Sequence, residues 1–357
     1  MFGWLRDWFG GSGTGKASGR PSVLDWVPPP SARTPAPPKF QEPEAFKAAW
    51  ATLHPTGDPR PEGVLPPEAQ AAADHLEALL RAEFAANLPE PASFPSVAVE
   101  VMNLLERPDP DLHELLTLVD RDPAIAVQLL RLANSAYYAR DREVQDLRGA
   151  VMRLGVRASG EIAVAVAGHT LFDMGLRAEH EMFMLRLMDL YHDALAVGFG
   201  ASEIAFREQA GQPNQAFMGG LFHDIGHSLA LRSLAGLMLQ GRIPPTQPPD
   251  VVDEVLERVH VEMGATALAL WGLPAYLGEI CTRFHDPGLP PGPAFGNLHV
   301  LRVASGLLRL VRNPADTRHA DETRQSLQTL GIPRDRAAHL YVLMAEHRER
   351  AVGMLSA

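Results

Sequence analysis

Three observations predict an all-α fold for this chain. No stretch alternates apolar and polar residues with a period of two, and β-branched residues are sparse relative to Ala and Leu. Apolar residues recur instead at spacings of three and four, the period of a helix face. Capping carboxylates and prolines stand where those periodic runs begin and end.

The elements follow in chain order. Residues 10 to 68 carry Gly/Ser runs and then Pro28-Pro29-Pro30, Pro37-Pro38 and Pro66-Pro67. Proline this dense removes backbone donors and blocks helix and central strand alike, so residues 1–68 read as a flexible tail with one short helical segment at Glu44 to Leu53. Val97, Val101, Leu104 and Leu105 share one helix face, which Pro108-Asp109-Pro110 terminates. Leu112, Leu115, Leu116 and Val119 form the next stripe. Asp122-Pro123 opens a further helix containing Leu129 to Asn134, where Asn134 and Ser135 are expected as helix-end hydrogen bonders. A long helix is expected from Glu181 to Arg207, another from about Asp250 until Gly272-Leu273-Pro274, and a terminal one from Arg334 to Met354. The domains are drawn as the tail at 1–68, a helical domain at 69–310 with halves at about 84–180 and 181–310, and a helical extension at 311–357.

Bulk properties narrow the function. With 46% hydrophobic residues in 357, a sizeable core is available outside the tail. The formal net charge of −11, with no Lys/Arg block, argues against nucleic acid as a partner. Cys281 is the only cysteine, which excludes an internal disulfide and a cysteine-rich zinc site and suits a cytoplasmic location. No apolar run approaches the ~20 residues that span a bilayer. Met1 to Phe9 is aromatic yet lacks the apolar stretch and cleavage site of a signal peptide. It reads as an exposed terminus, with peripheral membrane contact or partner docking as the alternatives.

Chemical interest concentrates on histidines. His223 and Asp224 are adjacent inside an apolar run, ~100° apart around a helix, so both side chains can reach one point off its edge. His192 shares spacings of three and four with Leu185, Met188, Leu195 and Phe199 and is expected to face inward. His260 lies on the apolar face with Leu256 and Met263, and His285 stands near a helix end before Asp286-Pro287-Gly288. Neutral imidazoles and carboxylates are the donors a hydrolytic metal site needs, and they suit Fe, Mn, Zn or Co better than Mg alone. Each inward histidine has the plainer reading of a hydrogen-bonded core residue. His227 reads as a partly exposed polar residue, and Glu257 as either an acceptor for the His260 ring N–H or a solvated glutamate. His299, His319, His339 and His347 show no grouping that suggests chemistry.

These segments, taken together, resemble one family. Leu88-Pro89-Glu90-Pro91, Asp122-Pro123-Ala124, Leu129 to Tyr138 and Ala150 to Gly155 are similar to the N-terminal half of an HDOD (HD-related output) domain. Gly220-Leu221-Phe222-His223-Asp224-Ile225-Gly226, then His260 to Ala265 and Trp271-Gly272-Leu273-Pro274, resemble its later signatures in the expected order. The likeness runs from about residue 84 to 310. It implies a compact helical domain related to HD metal-dependent phosphohydrolases but serving bacterial signalling, commonly without catalysis. Catalytic HD enzymes have a first His, the His-Asp pair and a distal Asp; His192 and His223-Asp224 match the first two. Where the distal Asp would follow an Ala, this chain has Ala304-Ser305, and no segment resembles the GYP motif of the cyclic-di-GMP phosphodiesterases.

The resemblance therefore implies a non-catalytic signalling or scaffold module with a degenerate metal site. No cofactor is expected; His192, His223, Asp224, His260 and His285 are the candidate ligands should Fe, Mn or Zn bind. Signalling proteins in trans, receiver or cyclic-di-GMP-turnover proteins among them, are the expected partners. The alternatives are a divergent phosphohydrolase acting on a nucleotide or cyclic dinucleotide, and a nucleotide-binding sensor.

Overall fold

The computed structural model describes residues 42–55, 65–88, 94–135, 143–169 and 178–355, and every regular element among them is a helix. The aromatic N-terminus, the Pro-rich stretch through residue 41, and Tyr137 and Tyr138 lie outside the described residues.

The first half is α1 (Glu44–Leu53), α2 (Pro67–Ala86), α3 (Ser96–Leu105), α4 (Leu112–Val119), α5 (Pro123–Asn134), α6 (Leu147–Leu154) and α7 (Val156–Gly168). Carboxylates open three of them. Asp111 accepts from the Glu114 amide at 2.8 Å, Asp122 from Ala124 at 2.9 Å, and Asp146 from Gly149 at 2.6 Å. Each satisfies an amide that has no partner within its own helix. The expected end of α5 is also present: the Asn134 amide exchanges two 2.8 Å hydrogen bonds with the Val144 backbone, and Ser135 Oγ donates to the Leu132 carbonyl at 2.7 Å.

The second half is α8 (Ala178–Glu208), α9 (Pro213–Phe222), α10 (Ile225–Leu239), α11 (Pro249–Leu270), α12 (Ala275–Arg283), a 3₁₀ turn (Pro293–Phe295), α13 (Gly296–Arg312), α14 (Ala320–Thr329) and α15 (Arg334–Leu355). Helix α8 is the spine. Its Leu187, Tyr191 and Leu195 belong to an apolar cluster built with α2–α7 and α9–α11. Its Val197, Ala201 and Ile204 belong to a second cluster with α1 and α13–α15. Fully burying each large apolar side chain of this kind contributes roughly 1.5–3 kcal/mol.

The short helix expected at Glu44 to Leu53 is α1, and its Phe46, Ala49 and Leu53 are fully buried in the second cluster. Ala337, Ala338 and Met344 of α15 lie in that same core, and Glu42–Ala357 form one compact unit. The stripe read on α8 holds in part. Leu185 is 76% exposed, whereas Leu195 faces inward as expected, together with Leu187, Tyr191 and Ala194. None of the described helices is long and apolar enough to cross a membrane.

Glycines let the site-bearing helices approach backbone to backbone. A Cβ on Gly220 of α9 would lie 2.6 Å from the Gly198 Cα of α8. On Gly226 of α10 it would overlap the His260 carbonyl oxygen of α11, with the His260 Cα 2.8 Å away.

Candidate metal centre

The His223-Asp224 pair falls in the break between two helices. His223 caps the C-terminus of α9 and Asp224 precedes α10. The Gly226–His260 contact then seats α11 beside them, and the turn after α12 delivers His285. That turn is held by Arg302 of α13, which is 2% exposed and donates to the backbone carbonyls of Phe284, Arg283 and Asp286.

Tautomers follow from the backbone. His223 Nδ1 lies 2.9 Å from the Gly220 carbonyl, and His260 Nδ1 lies 2.9 and 3.2 Å from the carbonyls of Glu257 and Leu256. A carbonyl only accepts, so each Nδ1 carries a proton and Nε2 is the nitrogen left to act as a ligand when the ring is neutral. Both Nε2 atoms face the same carboxylate: His223 Nε2 is 3.3 Å from Asp224 Oδ2, and His260 Nε2 is 4.0 Å from Asp224 Oδ1. A positive charge between such atoms, a proton or a metal ion, would satisfy both. An ion bonded to each at ~2.1 Å would hold such a pair roughly 3–4 Å apart.

Asp224, His260 and His285 each offer one ligand atom within 4.8 Å of the others, and Asp224 Oδ1, His260 Nε2 and His285 Nε2 are buried without a hydrogen-bond partner. Buried polar atoms are ordinarily paired, and three that converge without partners have the arrangement that could hold a cation. The donor set of two imidazoles and one carboxylate suits Fe, Mn, Zn or Co. His223 Nε2 and His227 Nδ1, also orphaned, stand beside it.

Charge around this point is arranged to keep the donors available. Burial alone would raise the Asp224 pKa, but the rings of His223, His227 and His260, once protonated in acid, and the Arg309 guanidinium outweigh it and hold the carboxyl well below its ordinary range. Burial lowers His285 to about 3 and, with His260 stacked 4.1 Å away, lowers His227 to about 4, so both rings are neutral at pH 7. His319 is the opposite case. Burial works against its charge, yet the carboxylates of Glu257 and Glu322 raise it to about 9. Its Nε2 is 3.8 Å from Glu257 Oε2 and its Nδ1 is 3.3 Å from Glu322 Oε1.

Beside the cluster is a cavity of ≈10 Å³, lined by His285, Ser305, Arg309, His319 and Glu322 among others. That volume is about one water-sized sphere. A nucleotide would need these side chains to move.

Asp224, His260 and His285 therefore come together as expected, with His223 next to Asp224. His192 does not join them in any group of three metal-capable side chains among the described residues. It sits on the side of α8 where Asp189, Asp193, Arg348 and His169 supply its charged surroundings. The first histidine of the catalytic pattern is thus absent from the cluster, and His192 Nε2 is buried and unpaired elsewhere. Glu257 acts on other partners than expected: its backbone carbonyl accepts from His260, while its carboxylate faces His227 and His319. His227 is buried rather than partly exposed. His319 belongs to the cluster although no grouping in the sequence pointed to it; a His three residues before a Glu, His319 and Glu322, was the one available signal.

Among known proteins, the HDOD domain family matches residues 92–287. An uncharacterised protein of Treponema pallidum (strain Nichols) is 26% identical over 222 residues, 60% of this chain and 41% of that protein, so the chain spans about two-fifths of that relative's length. An HDOD domain protein of unknown function from Geobacter sulfurreducens has a similar structure, with a TM-score of 0.57 and 21% identity over 79% of this chain and 98% of that one. So has a candidate metal-dependent phosphohydrolase of Shewanella amazonensis SB2B, at TM-score 0.54 and 21% identity over 77% and 99%. At these identities the likeness to solved structures concerns the fold. The family match, over more than half of the sequence and through the His223-Asp224 segment, carries the assignment: this chain belongs to the HDOD domain family.

Proposed function

We propose that this HDOD domain is a signal-transduction module that acts by protein contact, and that its histidine–carboxylate cluster holds one divalent ion without turning over a phosphate substrate. The single observation that carries this reading is the wall that α13 turns towards the cluster. It presents the neutral hydroxyl of Ser305 and the cation of Arg309 where hydrolysis would call for another carboxylate, and leaves a cavity of ≈10 Å³. The ion's own chemistry would be to bind the lone pairs of Asp224, His260 and His285; His223 and His227 flank them, and the proton on His260 Nδ1 fixes the ring that donates. Partners in this reading are signalling proteins supplied in trans, of the receiver or cyclic-di-GMP-turnover kind.

A second reading, a divergent phosphohydrolase, has the three converging orphan atoms in its favour. One assay separates the two. Tag-free protein loaded in turn with Mn²⁺, Fe²⁺ and Zn²⁺ is incubated with a nucleotide monophosphate and with cyclic di-GMP. The expected rate equals that of Asp224→Asn. Turnover that disappears in Asp224→Asn establishes the enzyme.

A further inference from the structure

We infer that Arg309 is a resident counter-cation of the cluster that holds down its affinity for divalent ions and so keeps the ion exchangeable; the inference rests on the ion site proposed above. Arg309 lies one helical turn beyond Ser305 on the same face of α13, and both line the cavity shared with His285, His319 and Glu322. Its neighbour Arg312 is tied down by Asp189 and Asp193, whereas Arg309 makes no ion pair among the described residues. Helix α14 closes the other wall: a Cβ on Gly306 would overlap the Thr323 hydroxyl, and Thr323 Oγ1 donates to the His319 carbonyl at 2.9 Å. Arg309 thus lines a cavity walled by α13, α14 and the turn after α12, with His285, His319 and Glu322 as fellow lining residues, and is partly buried.

That position has a consequence. Arg309 lines the cavity together with His285 and Glu322, and the carboxylates of Glu322 and Glu257 stand 3.3 and 3.8 Å from the His319 ring. A fixed cation beside the site repels an entering divalent ion, and a neutral side chain in its place does not. Repulsion between like charges in a partly buried setting is expected to change an equilibrium about tenfold.

The test uses the full chain, stripped of metal, with Mn²⁺ and Zn²⁺ affinities measured by competition with a chromophoric chelator. Arg309→Gln and Arg309→Met are expected to bind each ion about tenfold more tightly than the parent, and Arg309→Lys about as weakly as the parent. Arg309 is only partly buried, so both neutral variants should fold, with cooperative thermal unfolding as the check. Asp224→Asn should lose binding in every background. Neutral variants that bind no more tightly, while Asp224→Asn still abolishes binding, overturn the role of Arg309 and leave the ion site standing. Binding that survives Asp224→Asn removes the ion site itself.

Discussion

Gly226 and His260 touch through their backbones: a Cβ on Gly226 would overlap the His260 carbonyl oxygen and lie 2.8 Å from its Cα. The last residue of the His-Asp-Ile-Gly segment is thus what brings α11, and with it His260, to Asp224. Gly226→Ala should force the helices apart and cost roughly 3 kcal/mol or more in urea unfolding. Gly278→Ala on α12, where a Cβ meets nothing within 4 Å, should be neutral or stabilising by about 0.5–1 kcal/mol. Equal effects at the two sites would refute the close-approach argument.

Arg302 should behave as a positioning residue for the turn that carries His285. Arg302→Met keeps the bulk but leaves the carbonyls of Arg283, Phe284 and Asp286 without their donor. The expected loss is about 2–4 kcal/mol, together with faster amide exchange across residues 284–289. Unchanged exchange in that turn would contradict the role.

His192→Gln tests the separation of His192 from the cluster. Mn²⁺ and Zn²⁺ affinities should stay within about twofold of the parent, since its charged surroundings are Asp189, Asp193, Arg348 and His169. Loss of binding would place His192 back among the ligands.

In metal-free protein, stability should fall on both sides of neutrality. The folded-state pKa of His319 is raised from 6.5 to about 9, so its contribution is full below pH 6.5 and is lost as pH rises through about 9. His227 and His285 are depressed from 6.5 to about 4 and about 3, so the unfolded chain takes up protons first and stability declines as pH falls from 6.5 through those values. His319→Asn, which tolerates the left-handed backbone at φ 57°, should flatten the alkaline limb alone. An alkaline limb that persists unchanged in His319→Asn on chemical unfolding would rule out the pairing of His319 with Glu257 and Glu322 as its cause.

Much of this was legible in the sequence, for identifiable reasons. Helices such as α5 and α11 carry their caps and apolar stripes in their own residues, and His223-Asp224, His260 and His285 stand out by adjacency and by position on those stripes. His227 misled because α10 is buried on almost every side, so a polar residue there gives no sign of facing out. His192 is buried as expected, but Leu185 and Met188 of its stripe are exposed, so its helix face did not tell which residues it would meet. His319, Glu322 and Arg309 gain their meaning only when α13 and α14 fold back over the turn after α12. No local pattern encodes that contact.

An anomalous-difference map from crystals of tag-free protein equilibrated with Mn²⁺ or Zn²⁺ tests the central claim most directly. One peak is expected per chain, bounded by Asp224 Oδ1, His260 Nε2 and His285 Nε2. A map with no peak there, or with the ion held by His192, would contradict the site.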